Sequence, residues 1–200
     1  LIPMGEFEVD PAVRESIKNF DEGKTPEMMA RICPFSTHIL PTDMPIVRDF
    51  LSNGLFNEES DNVKVFALPF YLNGHDGIVD RKYVEFITGL DLGVFPSFYE
   101  PWGYTPQEAI ARGVPAVSSD MEGFGLYSRN IENYSNSLAV ISREGRSFDE
   151  SSNELFDVFK DFVSQDKGVL LSQKFETIPF AKQVSWSKFF EKYLEVYNSL

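Results

Sequence analysis

Apolar and polar residues alternate along this chain in blocks that fit strands and helices in turn. The run VKVFALPF (63–70) is almost continuously apolar after Lys64, as a strand buried on both faces of a parallel sheet would be. LGVFPS (92–97), PAVSS (115–119) and SLAVIS (137–142) read the same way, and residues 35–40 predict a shorter strand. Helix signals lie between these runs. Asp10-Pro11 and Thr25-Pro26 each set a capping residue before a proline, predicting helices to about Phe20 and Arg31. Ile46, Val47, Phe50 and Leu51 share one helical face, with Gly54 placed to end that helix. Asp80 predicts a cap for a helix over 81–90, and a short helix is predicted over 106–112, stopped by Gly113. Over 151–165 the spacing turns Leu155, Phe156, Phe159 and Phe162 inward, and Ser185 predicts the cap of a last helix over 186–198.

Strand, loop, helix, strand in steady alternation predicts an α/β fold: a Rossmann-like parallel sheet with helices on both faces. One domain is expected over 1–200, closed by a terminal helix over 185–200. The opening LIPM reads as the tail of a buried strand, so a piece of a longer polypeptide is expected. In such sheets ligands bind beyond the carboxyl ends of the strands. The segment 95–108, FPSFYEPWGYTPQE, follows one such end.

Charge narrows the chemistry. The chain carries 18 basic and 31 acidic residues, a formal −13, and no basic stripe that would suit a nucleic acid. No apolar run approaches the roughly 20 residues of a membrane span. An anionic ligand must therefore be held by a few placed cations, by backbone N–H groups, or by residues outside this chain. Cys33 is the only cysteine, read as a small buried hydrophobe, and His38 and His75 lack nucleophile partners or metal spacing. Asp76 and Asp80 follow close on His75, but the glycines around them favour a turn. SSDMEGFG (118–125) is also read as a turn, because G-F-G is too short for a phosphate loop.

Thr105-Pro106-Gln107-Glu108 fits a T-x-x-E capping box with proline at the first helical position. That reading accounts for Glu108 without any ligand. Glu100 lies in a loop and has no such explanation. A helix N-terminus favours phosphate, Gly103 lets a ligand approach the backbone, and Thr105 adds a hydroxyl. Carboxylates would repel a phosphate, so the two acids suit neutral sugar hydroxyls. A helix N-terminus flanked by two such acids suits a nucleotide sugar.

Residues 92–125, LGVFPSFYEPWGYTPQEAIARGVPAVSSDMEGFG, resemble the nucleotide-sugar-binding core of glycogen synthases of the fungal and animal type. Similarity extends upstream to about Arg31 and, more loosely, to the helix around Trp186. The resemblance implies the C-terminal donor-binding domain of a two-domain GT-B glycosyltransferase, cytoplasmic, retaining, and without cofactor or metal. It implies transfer of glucose from UDP-glucose or ADP-glucose to the 4-hydroxyl of an α-1,4-glucan end. Under it Glu100 holds glucose hydroxyls and stabilises charge at the ring, as the catalytic residue. Glu108 binds the ribose, while Gly103, Tyr104 and Thr105 hold the distal phosphate. Tyr83 stacks on the base, or is ordinary helix packing; Leu72 contacts the base edge through its backbone. Trp102 is either pocket wall or core. The family's phosphate-neutralising Arg and Lys and its acceptor site fall outside this chain, so the isolated chain is expected to be inactive. The place of the family's arginine-rich helix, DFVSQDKGVLLSQKFE (161–176), holds no arginine, so glucose-6-phosphate activation is not expected. Another GT-B enzyme akin to sucrose synthases, or a non-catalytic nucleotide-sugar sensor, are the alternatives. Homo-oligomerisation is left open.

Overall fold

The computed structural model describes residues 44–58, 60–132 and 134–200. The expected helices at Asp10 and Thr25, the strand over 35–40, Cys33 and His38 lie outside the described residues. The chain divides into two compact units, 1–83 and 84–200.

In the first unit, α1 (Pro45–Ser52) buries Val47, and Gly54 follows its C-cap Asn53 with φ of 72°. The strand expected over 63–70 does not form; Ala67 alone carries a bridge. The Asn57 side chain explains this. Its Oδ1 accepts from Val65 N–H at 2.8 Å and its Nδ2 donates to Val65 C=O at 2.7 Å, taking the groups a ladder would use. Pro69 supplies no N–H at all. The loop over 73–80 is the expected turn: the Asp76 carboxylate accepts the N–H groups of Ile78, Val79 and Asp80. Partial desolvation pushes the Asp76 carboxyl up, but those N–H groups together hold it below the usual value. Asp80 does not cap a helix. It sits at φ of 49° and accepts from Gly77 N–H, and α2 (Tyr83–Ile87) begins three residues later.

The second unit is a parallel sheet with helices around it. Strands β1 (Gly93–Val94), β2 (Ala116–Ser119) and β3 (Leu138–Ile141) lie in the order β1-β2-β3. The register pairs Gly93 with Ala116 and Ser119 with Ile141. Between them run α3 (Tyr104–Ala111) and α4 (Gly123–Ser128); α5 (Phe148–Ser164), α6 (Lys167–Gln183) and α7 (Trp186–Asn198) follow. Every residue of β2 is buried, as expected of the middle strand. Ile110, Val114, Ala116, Phe124, Leu138, Phe180 and Val184 form the core. It joins α3 and α4 to the sheet and to α6.

Helix α5 starts three residues earlier than the spacing predicts. Ser147 is its N-cap, and the Ser147–Glu150 capping box is complete. The face turned to β3 is therefore Ser151, Leu155, Val158 and Phe162, whereas Phe156 and Phe159 are 62% and 40% exposed. The Ser151 hydroxyl donates to Ser142 C=O, anchoring that face. Ser147→Ala is expected to lower stability by about 1 kcal/mol, seen as a fall of a few degrees in melting midpoint. The Ser147 N–H, and then its hydroxyl, hold the Glu150 carboxyl below its ordinary value. The stabilisation from Glu150 is thus complete above the ordinary glutamate range and vanishes as pH falls through the depressed value. The melting difference between wild type and Glu150→Gln should narrow in acid accordingly. Helix α6 was not foreseen; Asp166 caps it by accepting the N–H groups of Gly168 and Val169, and Pro179 sits inside it. Helix α7 matches its prediction at both ends, with Ser185 accepting Lys188 N–H.

Candidate functional site

The loop after β1 is held by the segment after β2. Glu100 N–H donates to Met121 C=O at 3.1 Å, Gly123 N–H to Glu100 C=O at 3.3 Å, and Phe124 N–H to Trp102 C=O at 2.6 Å. These bonds fix the loop backbone beyond the carboxyl ends of β1 and β2. The Glu100 side chain stays exposed, and no side-chain partner for it is found among the described residues. A cleft of about 310 Å³ opens here, lined by Tyr99, Glu100, Asp120, Glu122, Leu126 and Glu144. Its acids come from the ends of all three strands. Asp120 is committed to structure: its carboxylate accepts Arg143 and Glu144 N–H at 2.7 and 3.1 Å and faces Arg129 at 3.8 Å.

Helix α3 begins at Tyr104, with Gly103 as N-cap at φ 92°, ψ 78°, and no side chain caps it. This overturns the capping box. Thr105 is the second helical residue and not the N-cap, so Glu108 lies too far along to reach the N-cap amide. The left-handed Gly103 allows the helix to start two residues before proline, a step that sequence spacing alone does not reveal. Glu108 is left exposed with no partner among the described residues. The first N–H groups of a helix have no intrahelical acceptor, and Pro106 has no N–H. Gly103, Tyr104 and Thr105 thus present the open donors.

Trp102 is partly buried and packs against the core. Its Nε1–H donates to Gln107 Oε1 at 2.7 Å, and Gln107 Nε2 donates to Val184 C=O at 2.6 Å. Its ring packs edge-on against Phe124 at 5.8 Å and Phe189 at 5.3 Å. Trp102 also lines a second cavity of about 640 Å³, with Tyr104, Tyr127, Trp186, Phe189 and Tyr193.

Tyr83 and Leu72 belong to the first unit. They are brought together there: Tyr83 N–H donates to Leu72 C=O at 2.8 Å, beside the Asn73–Lys82 bridge. Glu100, Trp102, Gly103, Tyr104, Thr105 and Glu108 are grouped separately in the second.

Sequence reasoning missed Glu122. It is 1% exposed, its Oε2 accepts the Ser118 hydroxyl, and its Oε1 has no partner among the described residues. Its position three residues after a buried strand was the available signal. SSDMEGFG is not a plain turn either, since Gly123 opens α4.

The glycogen synthase family model matches residues 26–199. Glycogen [starch] synthase isoform 1 of Saccharomyces cerevisiae is 34% identical over 170 residues, 81% of this chain and 24% of its own length. The Caenorhabditis elegans glycogen [starch] synthase is 37% identical over 137 residues, 67% of this chain and 20% of its own. The Homo sapiens liver glycogen [starch] synthase is 34% identical over 157 residues, 76% of this chain and 22% of its own. The chain therefore spans about a quarter or less of the length of these relatives. With a parallel sheet, an acid-lined cleft at its carboxyl edge and an open helix N-terminus beside it, the chain belongs to the glycogen synthase family.

Proposed function

We propose that this chain supplies the donor-binding part of a retaining glucosyltransferase that extends α-1,4-glucan chains from UDP-glucose or ADP-glucose. The observation that carries the reading is the uncapped N-terminus of α3 set next to the Glu100 cleft. The N–H groups of Tyr104 and Thr105, with the Thr105 hydroxyl, hold the distal phosphate at the positive end of the helix dipole. The Gly103 N–H adds a third donor. Glu100 accepts from glucose hydroxyls and stabilises positive charge growing on the sugar ring. Glu108, one turn further on and exposed, binds ribose hydroxyls.

In the reaction the bond from C1 of glucose to the phosphate oxygen breaks, and a bond from C1 to the acceptor O4 forms. The acceptor proton passes to the departing phosphate on the same face, which preserves the α configuration and needs no general base from the protein. Electrostatic stabilisation of charge at the breaking bond does most of the work. No described helix is long and apolar enough to cross a membrane. The decisive experiment is incorporation of labelled glucose into glycogen by the full-length protein, from UDP-glucose and from ADP-glucose separately. Transfer from one of them is expected; no transfer from either would overturn the reading.

A further inference from the structure

Glu122 has no task in the reaction just described, yet it is built into the site. Its carboxylate is 1% exposed and lies against Gly103, the N-cap of α3. A Cβ placed on Gly103 would meet Glu122 Oε2 at 2.9 Å and Oε1 at 3.5 Å. The Ser118 hydroxyl donates to Oε2, while the buried Oε1 has no partner among the described residues. The group caps neither helix beside it: no side chain caps α3, and Glu122 makes no side-chain bond to α4. A buried oxygen left unpaired is costly and calls for a reason. Packing alone would be served by glutamine, which has the same shape and could keep the Ser118 bond.

We propose that Glu122 sets the affinity of the phosphate site, acting as a fixed internal anion behind the N-terminus of α3. This rests on the reading of α3 as the holder of the donor's distal phosphate. The positive end of the helix attracts an anion, and the Glu122 charge cancels part of that attraction. Glu122 lies against the N-cap glycine of the same helix end that would hold the phosphate. At such spacing, in a partly dry site, one unit of charge shifts binding by about tenfold or more. Glu122 therefore weakens the hold on a nucleoside diphosphate. Release of that product, the slow step in many enzymes, is correspondingly faster.

The test is calorimetric titration of UDP, and of uridine as a phosphate-free control, into the full-length protein and its Glu122→Gln variant. The expected result is UDP binding about tenfold tighter in the variant, with uridine affinity unchanged. Unchanged or weaker UDP binding in a folded Glu122→Gln protein would overturn the inference, as would an equal gain for uridine. Should that variant fail to fold, Glu122→Ala carries the same comparison. If neither wild type nor variant binds UDP more tightly than uridine, the phosphate-site reading itself falls, and this inference with it.

Discussion

Glu100→Ala in the full-length protein should lower kcat/KM for glucosyl transfer by roughly 100- to 1000-fold while leaving the melting midpoint almost unchanged. The backbone of Glu100 is held on both sides, by Met121 C=O and by Gly123 N–H, and neither bond depends on the side chain. The side chain itself is exposed and has no partner among the described residues, so its removal breaks nothing structural. On the proposed role, what it removes is a fixed negative charge beside a sugar ring that turns positive as its bond to phosphate breaks. That interaction grows in the transition state, so the loss should fall mainly on kcat. Glu108→Ala should behave differently. A ribose contact is made equally in ground and transition states, so KM for the donor should rise by about tenfold with kcat nearly kept. Steady-state kinetics of the two variants side by side separates these roles. A Glu100→Ala enzyme with near wild-type kcat would remove Glu100 from the chemistry.

The same residues show what could be read from the sequence. Ser185 and the apolar spacing after it gave α7 to the residue, because an exposed helix with a side-chain cap is specified locally. β2 and β3 were legible because a buried parallel strand has no polar face to hide it. The apolar run over 63–70 misled for a reason that lies eight residues away, in the Asn57 amide that satisfies Val65. Thr105 looked like an N-cap because its local pattern was right; the positive φ of Gly103 moved the helix start, and φ is not written in spacing. The loop carrying Glu100, Trp102 and Gly103 was legible as lying beyond a strand end because a buried apolar run stops just before it. Glu122 was not, since its meaning comes from contact with Gly103 across 19 residues of sequence.

Contacts across the sheet edge also make the two glycines of G-F-G the tightest of the described glycines. A Cβ on Gly123 would lie 2.3 Å from Pro101 C=O, and one on Gly125 would lie 2.3 Å from Ser119 C=O. Both obstacles are backbone atoms, so no rotamer change relieves them. Pro101 sits in the Glu100 loop, and Ser119 ends β2, whose pairing with β3 fixes it. Gly125→Ala must push α4 off the sheet, dragging Phe124 out of the core it fills with Ile110, Leu138 and Phe180. A cost of about 3 kcal/mol or more is expected, at the upper end for an overpacked site, or roughly 6–12 °C in melting midpoint. Gly123→Ala strains the site itself. It forces the loop carrying Glu100 and Trp102 away from α4, so activity should fall along with stability. Gly113→Ala is the internal contrast, because there the added Cβ finds its nearest obstacle at 4.0 Å and only the positive φ resists it. That strain is of order 1 kcal/mol. Thermal unfolding should therefore rank Gly125→Ala well below Gly113→Ala. Equal midpoints would mean that α4 can shift freely, and that the backbone bonds tying it to the Glu100 loop do not hold the site in place.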